Sequence, residues 1–493
     1  MAPLATNIVA ILGAASLAVA QTPNAPGSQN RYPFTKQYDQ GFLDGYSVLK
    51  HIGGQGPYSN RVAYGISRDP PDGCAVDQVI MLKRHGERWP DPGPAANFKV
   101  SLNKIYGTNT TAFTGALEFL NRWKYFVPEG RYVSLESFNG PYAGLLDGYI
   151  HGAEYGVRYG HLWDQAAANL TIPMFSSGYE RILTTARKFG EGFFGWNYTD
   201  VVAMNVIPEE VYMGANSLTP SCLHDKDTPM CDRIGKSNLQ PIFKVAAARL
   251  NGQNSNLALN GSDIYNLMQM TAYELNVRGY SDWVNVFTLD EWVAFGYTQD
   301  LSYYYCNGPG YVNGRTVGSV FANASLTLLN QGPKKAGSLF FNFCHDTNIT
   351  PVLAALGLAS PAEPLPIDHI PFPKPYSSSD IVPMGGHLTM ERLTCNATAI
   401  TKPGTYVRLI LNEAVVPYTG CQDGPGYSCS LPRFTELVSH SLPDFISTCG
   451  FNSSYPQYLD FWWNYNTTRD YNRETQDPIP AHEGLLTYKG TAA

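Results

Sequence analysis

The chain has 493 residues, of which 44% are apolar and only 15% are charged, and its net charge is −7. The apolar content allows a sizeable core and excludes global disorder, and the length predicts two or three domains, or one large domain with a big insertion. No basic stretch is long enough to follow a phosphate backbone, so nucleic-acid binding is excluded as a function class.

The N-terminus has the pattern of a secretory signal peptide over residues 1–20. Ile8–Val19 is apolar and consists mostly of small residues, and an Ala-Val-Ala sequence fits the cleavage rule directly before Gln21. An apolar run this short does not span a bilayer, so we expect no membrane partner. The sequence therefore predicts a secreted, extracellular protein.

Asparagines in N-x-S/T sequons recur along the chain, which is typical of an exported glycoprotein. A sequon at Asn348 is left out because Pro351 directly follows its threonine. We expect glycans among the remaining sequons, which are Asn109, Asn169, Asn197, Asn260, Asn323, Asn396, Asn452 and Asn466.

The 9 cysteines also fit an oxidising compartment, in which disulfides persist. Eight of them could form four bridges with 105 connectivities, and one would be left over. Cys421 and Cys429 are the easiest pair to propose, because Asp423–Gly426 between them favours a turn. Cys344 is the candidate free thiol, because it lies in an apolar run where cysteine behaves as a small hydrophobic residue.

Two short apolar runs predict buried strands, and each leads into polar residues. Val76–Leu82 ends shortly before His85, and Ser338–Phe343 ends shortly before His345. In open α/β sheets, ligands bind at the carboxyl ends of the strands. The residues that follow these two runs are therefore candidates for a functional site.

Helices are predicted between and after these strands. Gly178–Phe194 has a helical pattern, and a second segment is capped by Ser262 and ends near Gly279. After the second strand, Thr350 is a candidate N-cap and Pro351 stands in the first helical position. The simplest architecture is an α/β domain built from residues 21–150 and 310–493, with a mainly helical inserted domain over residues 151–309.

The segment Arg-His-Gly-Glu-Arg-Trp-Pro over residues 84–90 follows the first predicted strand. The guanidinium groups of Arg84 and Arg88 offer permanently charged, planar donors that suit phosphate oxygens. An imidazole held between them at His85 can attack phosphorus and carry the phosphoryl group covalently. Gly86 is expected to let a bulky anion approach the backbone.

This segment resembles the Arg-His-Gly-x-Arg-x-Pro motif of the histidine acid phosphatases. His345-Asp346 is similar to the family's His-Asp motif, and Ser176–Arg181 resembles its Ser-Ser-x-x-x-Arg segment. Over nearly the whole predicted mature chain, the similarity is to the fungal acid phosphatase and phytase B branch of the phosphoglycerate-mutase-like superfamily. The resemblance implies that superfamily's α/β fold with a helical insertion.

The resemblance implies a secreted acid phosphatase or 3-phytase that hydrolyses small phosphate monoesters without a cofactor. His85 would be the nucleophile that forms a phosphohistidine. Asp346 would be the general acid that protonates the leaving alcohol, and its conjugate base would then activate water. Assembly into a homo-oligomer is compatible with the resemblance. The phosphoryl oxygens would be bound by Arg84, Arg88, Arg181 and His345.

The resemblance also implies a disulfide pairing, which the cysteine spacing alone leaves open. Cys344 stays unpaired in this scheme, and the first bridge would tie the catalytic strand to the C-terminal half. The implied pairs are Cys74 with Cys395, Cys222 with Cys449, Cys231 with Cys306, and Cys421 with Cys429.

Other interpretations compete with phosphomonoester hydrolysis. The signal peptide argues against a phosphoryl-transferring mutase. Asp346 argues against a non-catalytic secreted phosphate- or carbohydrate-binding glycoprotein, because a binding protein needs no proton donor. A cysteine hydrolase would use Cys344 and His345, but adjacent strand residues point to opposite faces. The two arginines of the motif could instead form a buried salt-bridge cluster with Asp77 or Asp91.

Metal binding and substrate range are the remaining questions. No His-Glu-x-x-His or Cys-x-x-Cys motif occurs, so we expect no metal. Glu291 is a candidate acidic residue near the pocket. Asn97 stands where a related enzyme has a carboxylate, which leaves the preference for phytate open.

Overall fold

The structure, a computed structural model, describes residues 42–43, 46–61, 64–108, 110, 112–163, 171–223, 229–237, 241–399 and 401–465. The predicted signal peptide over residues 1–20 and the sequons Asn109, Asn169 and Asn466 lie outside these ranges and stay predictions. Within these ranges, none of the helices has the length and apolar character needed to cross a bilayer.

A mixed sheet of 8 strands lies at the centre of the molecule. The strands are β1 (Phe42–Leu43), β2 (Tyr46–Ser47), β3 (Cys74–Arg84), β4 (Ile172–Ser177), β5 (Val202–Ile207), β6 (Leu339–Cys344), β7 (His387–Cys395), β8 (Gly404–Leu411), β9 (Ala414–Val415) and β10 (Cys429–Ser430). Their order in the sheet is β10-β8-β7-β3-β6-β4-β5, with β9 beside β8, and β1 and β2 form a separate pair. Strands β3, β6, β4 and β5 are mutually parallel, whereas β7 is antiparallel to β3 and β8 is antiparallel to β7.

Helices cover both faces of the sheet and form a second core beside it. They are α1 (Pro92–Tyr106), α2 (Gly144–Tyr159), α3 (Glu180–Phe194), α4 (Pro229–Ser237), α5 (Pro241–Gln253), α6 (Gly261–Arg278), α7 (Leu289–Cys306), α8 (Gly314–Gln331), α9 (Pro333–Ala336), α10 (Asp346–Ala355), α11 (Ser378–Ile381), α12 (Leu431–Ser441) and α13 (Phe445–Thr448). Side chains of α2 and α3 pack on one sheet face, and those of α8, α10 and α12 on the other. Helices α1, α5 and α6, with the N-terminal part of α7, form the second core.

The two predicted strands are present, and each is slightly longer or shifted. In β3, Val79 and Met81 pack into the core on one face of the sheet, and Ile80 and Leu82 into the core on the other. Burial on both faces explains why these residues read as a continuous apolar run. Arg84 at the end of β3 lies opposite the last residue of β6, so the residues after both strands emerge at one edge.

The predicted domain boundary near residue 150 does not separate the two cores. Strands β4 and β5 fall within residues 151–309 but lie in the central sheet, and α3 covers that sheet. Conversely, Phe98 and Leu117 pack with Phe243 and Ile264 in the second core, although they precede the predicted insertion. Short strands buried on both faces lack alternation, so their sequence does not distinguish them from buried helix.

The start of α6 differs from the prediction by two residues. Asn260, not Ser262, is the N-cap, and its side chain accepts hydrogen bonds from the amides of Ser262 and Asp263. The side chain of Asp263 in turn accepts a hydrogen bond from the Asn260 amide, which completes a capping box. The predicted end is confirmed, because Gly279 has the left-handed conformation, with a φ of 72°, that commonly terminates helices.

The predicted start of α10 is wrong. The helix begins at Asp346, directly after the last strand residue, and Pro351 lies inside it. The side chain of Asn348 accepts a hydrogen bond from the amide of His345 at 3.3 Å. This bond caps the helix at His345, several residues before the predicted start. The hydroxyl of Thr350 donates to the Asp346 carbonyl at 2.6 Å instead of capping a helix of its own.

Four disulfides cross the described part of the chain. Cys74–Cys395 joins the paired ends of β3 and β7, and so fastens the strand that leads to His85. Cys344 is free and buried. The pairs are Cys74–Cys395, Cys222–Cys449, Cys231–Cys306 and Cys421–Cys429, which agree with the pairing that the resemblance implies.

Candidate active site

The carboxyl ends of the parallel strands bring the predicted site residues together. His85 follows β3, His345 and Asp346 follow β6, and Arg181 lies in the first turn of α3, which follows β4. The rings of His85 and His345 are 5.9 Å apart between centroids. A guanidinium nitrogen of Arg84 lies 2.9 Å from Asp346 Oδ2. One site therefore contains a buried imidazole, several arginines and a carboxylate.

His85 is held as a neutral imidazole with one nitrogen directed by the backbone. Its Nδ1 lies 2.8 Å from the carbonyl oxygen of Gly86, which can only accept, so Nδ1 carries the proton. Burial, followed by the charges of Arg84, Arg181 and Arg88, holds the pKa of His85 well below its usual range. The lone pair is therefore on Nε2, which is the nitrogen available for nucleophilic attack.

Three buried arginines surround this imidazole. Asp91 is 2.7 Å from Arg88 and 3.6 Å from Arg181, so part of the alternative salt-bridge cluster does form. Asp77 does not take part, because it pairs with Arg392. Among the described residues, the buried Nε atoms of Arg84, Arg88 and Arg181 have no hydrogen-bond partner. Such donors, in excess over the carboxylates, suit a multivalent anion.

Asp346 occupies the first position of α10, and two side chains hold one of its oxygens. Arg84 and the hydroxyl of Tyr303 both contact its Oδ2, the hydroxyl at 2.5 Å. Burial raises the pKa of Asp346, but the charge of Arg84 and the bond from Tyr303 outweigh it, and the net pKa lies below the usual value. In the free site Asp346 is therefore a carboxylate beside the arginines.

His345 is paired with Glu209, a residue that the sequence analysis missed. The Nε2 of His345 lies 3.0 Å from Glu209 Oε2, and Glu209 also accepts the amide of Tyr179 at 3.1 Å. Burial raises the pKa of Glu209, but its bond to His345 and the charge of that ring lower it overall. Glu209 follows β5 at the same sheet edge, so recognition of β5 as a parallel strand would have located it.

The role predicted for Gly86 is corrected by its surroundings. A Cβ at this position would lie 2.6 Å from an oxygen of Glu136 and 2.7 Å from the carbonyl of Gly144. The Gly86 amide donates to Thr185 Oγ1 at 2.9 Å, and that hydroxyl also donates to Glu136. Glycine is therefore required for close packing behind His85, and not for the approach of an anion.

Two other sequence interpretations are contradicted. Cys344 is completely buried, which raises the pKa of its thiol well above the usual range, so it is no nucleophile. Glu291 does not line the site, because it caps α7. Its carboxylate accepts the Thr288 amide at 2.9 Å and pairs with Arg249 at 2.7 Å. Its position three residues after a threonine matches a capping box, which the sequence pattern could have indicated.

Glu136 should make the folded state more stable at acidic pH. Burial raises its pKa to about 8 from an ordinary 4.5. The folded chain thus retains a proton that the unfolded chain loses, so this stabilisation is complete below about pH 4.5 and is lost as pH rises through 8. Between about pH 5 and 8, urea unfolding should show the advantage of wild type over Glu136→Gln fall by at most about 4 kcal/mol. The same pH dependence in both proteins would contradict this assignment.

Comparison with known proteins identifies the class. The family model for the histidine phosphatase superfamily, branch 2, matches residues 75–412, which include the whole site. The chain belongs to this family, and the resemblance and the α/β fold expected from the sequence are thereby confirmed. As a member, it is an enzyme that hydrolyses phosphate monoesters.

Three relatives illustrate the similarity. A phytase of Candida albicans is 38% identical over 446 residues, covering 89% of this chain and 94% of the relative. An acid phosphatase of Komagataella pastoris is 34% identical over 440 residues, covering 87% and 92%. The crystal structure of a phytase from D. castellii is 35% identical with a TM-score of 0.79, and the match covers 86% of this chain and 92% of that one.

Proposed function

We propose that this protein is a secreted acid phosphatase that acts through a phosphohistidine at His85, with Asp346 as general acid. The observation that carries the proposal is the neutral imidazole of His85, whose Nδ1 is tied to a carbonyl while arginines surround the ring. A site that only bound phosphate would need neither a nucleophile nor a carboxyl group directed at the bound anion.

Substrate binding uses the arginines. The phosphoryl oxygens accept hydrogen bonds from Arg84, Arg88 and Arg181. The buried Nε atoms of these arginines have no acceptor among the described residues. His345 adds the N–H of its Nδ1, since its Nε2 is already bonded to Glu209. These charges are already in place, so they stabilise the negative charge of the transition state without any rearrangement of the site. Such stabilisation is usually the largest contribution to the rate enhancement.

Phosphoryl transfer then proceeds in two steps. His85 Nε2 bonds to phosphorus as the ester P–O bond breaks, and the proton of Asp346 passes to the leaving alkoxide. In the second step the Asp346 carboxylate takes a proton from water, whose oxygen attacks phosphorus. The P–N bond breaks, phosphate leaves, and both side chains return to their initial state.

This cycle accounts for activity in acid. Asp346 is a carboxylate in the free site because Arg84 lowers its pKa. A bound phosphoryl group neutralises the arginines and raises that pKa, so the carboxyl group gains its proton with the substrate bound. Turnover therefore falls as pH rises through the pKa of Asp346 in the substrate complex.

Small phosphomonoesters are the proposed substrates, and phytate is included because two of the relatives above are named phytases. The test is phosphate release from phytate, glycerol phosphate and nitrophenyl phosphate across acidic pH. Release from all three supports an acid phosphatase with phytase activity. Binding of inorganic phosphate without any turnover would instead favour the alternative of a non-catalytic phosphate-binding glycoprotein, for which the relatives give no support.

Activity is expected to survive removal of divalent metals. The arginines already supply the positive charge that metal ions provide in other phosphatases. Within the described ranges, the one group of three potential ligands contains Cys421 and Cys429, which form a disulfide. Prolonged dialysis against a chelator should leave the rate within about two-fold, and vanadate should still compete with substrate. A loss that one divalent ion restores would overturn the site assignment.

Secretion is the remaining part of the proposal. The four disulfides fit an oxidising compartment. Asn323 is half-buried, and the sequons with exposed asparagines are Asn197, Asn260, Asn396 and Asn452. Glycosidase treatment of the exported protein should lower its mass if these sites carry glycans. Homo-oligomer formation stays a prediction, testable by light scattering.

A further inference from the structure

Tyr303 connects the helical core to the carboxylate of the site. It lies near the C-terminal end of α7, is 9% exposed, and its hydroxyl donates to Asp346 Oδ2 at 2.5 Å. Burial and the nearby charge of Asp346 raise the pKa of Tyr303 well above its usual range. The hydroxyl therefore keeps its proton and acts as a donor throughout the acidic range.

The two oxygens of Asp346 have different surroundings. Oδ2 receives both the Tyr303 hydroxyl and, at 2.9 Å, a guanidinium nitrogen of Arg84. From the described residues, Oδ1 receives one donor, the Thr347 amide, at 3.0 Å. Two donors on one oxygen oppose its protonation, whereas a carboxyl oxygen with one donor keeps a second lone pair.

The tyrosine ring is confined by the backbone of Gly54. A Cβ at Gly54 would lie 2.6 Å from the Tyr303 hydroxyl oxygen and 2.7 Å from the ring carbon that bears it. The carbonyl of Gly54 also accepts a hydrogen bond from Arg84. The same short segment thus restricts both groups that hold Oδ2.

We infer that Tyr303 is a positioning residue for proton donation, which binds Asp346 Oδ2 so that Oδ1 carries the proton given to the leaving group. The inference rests on the proposed function of Asp346. As the P–O bond breaks and the bond to His85 Nε2 forms, the proton moves from Oδ1 to the alkoxide. Tyr303 keeps its own proton and holds the resulting carboxylate in place.

The proton affinity of Asp346 depends on every charged or titratable group that faces it. Those groups come from β3 and the loop after it, from the end of β6 and the residue before α10, and from α3, α6 and α7. Tyr303 is the one that binds Asp346 through a neutral hydroxyl. They are Arg84, Arg88, Arg181, His345, Cys344, Tyr273 and Tyr303.

The test is Tyr303→Phe, which removes the hydroxyl and keeps the ring. We expect the rate of phosphoenzyme formation to fall about ten-fold with glycerol phosphate and less than about two-fold with nitrophenyl phosphate, because only the alkoxide needs the proton. Loss of a donor to the carboxylate favours the protonated form, so the alkaline limb of the kcat profile should move to higher pH by roughly one unit. Inhibition by inorganic phosphate should be unchanged.

Tyr305→Phe is the matched control on the same helix. It also removes a buried hydroxyl. That hydroxyl donates to the Leu365 carbonyl at 2.6 Å and has no contact with the site residues named above. It should alter neither the substrate ratio nor the pH limb. Equal losses on both substrates in phosphoenzyme formation, with an unmoved limb, would overturn the positioning role of Tyr303 and leave it as a packing residue.

Asp346→Asn, measured together with Tyr303→Phe, separates the general-acid role of Asp346 from the positioning role of Tyr303. If Asp346→Asn spares the aryl substrate and Tyr303→Phe has no selective effect, the positioning role alone fails. If Asp346→Asn slows phosphoenzyme formation equally from both substrates, the general acid fails and the positioning role with it. Should Tyr303→Phe not fold, Tyr303→Met, which also lacks the hydroxyl, is measured in its place.

Discussion

Replacing His85 with alanine is expected to lower kcat at least about 1,000-fold on aryl and alkyl phosphates alike, because it removes the group that attacks phosphorus. The buried arginines remain, so inorganic phosphate should still bind. The effect does not depend on the leaving group, since no phosphoenzyme can form. Rates are compared by phosphate release, and binding by calorimetry with phosphate.

A phosphoenzyme assay makes this prediction specific. Wild type quenched during turnover of labelled nitrophenyl phosphate should carry acid-labile label on histidine, and His85→Ala should carry none. His369→Ala is the matched control, because His369 is exposed and pairs with its neighbour Asp368. Substantial turnover by His85→Ala, with a melting temperature like that of wild type, would exclude the phosphohistidine mechanism.

The catalytic motif could be predicted from sequence because its chemistry is local. Arg84, His85 and Arg88 lie within five consecutive positions after an apolar run, and the end of a buried strand is where such residues become exposed to ligand. The second strand allowed the same argument for His345 and Asp346. Parallel pairing of β3 and β6 then brings both segments to one edge, as the α/β interpretation requires.

Contacts made by tertiary packing could not be predicted in this way. Tyr303 is 43 positions before Asp346 and stands among other tyrosines of a buried helix, so nothing local marks it. Glu209 is 136 positions from His345 and follows a strand that lies within the predicted helical insertion. The packing of Gly86 against Glu136 likewise depends on a loop that is distant in sequence.

The domain boundaries failed for a related reason. The residues of β4 and β5 are buried throughout, so they show neither the alternation of a half-exposed strand nor a helical stripe. The second core combines α1 with α5 and α6, which are far apart in the chain. A division of the sequence into contiguous segments cannot represent a core that is shared in this manner.

Asp346→Asn should separate proton donation from phosphate binding. The amide keeps the shape of the carboxylate but has no acidic proton, so kcat on glycerol phosphate and phytate should fall about 100-fold or more. Nitrophenyl phosphate has a good leaving group, and its first step should lose less than about ten-fold. The ratio of the two losses is the quantity to measure.

Binding provides the internal control for this variant. The Asp346 carboxylate pairs with Arg84 at 2.9 Å and faces the position of the incoming anion, so its neutralisation removes a repulsion. Inorganic phosphate should therefore bind to Asp346→Asn at least as tightly as to wild type, which would assign the loss to kcat. The alkaline limb of the kcat profile should also disappear, because the group that titrates is gone. Equal losses on aryl and alkyl substrates in the rate of the first step, phosphoenzyme formation, would remove Asp346 from the general-acid role. Weaker phosphate binding would mean that the amide disturbs the arginines.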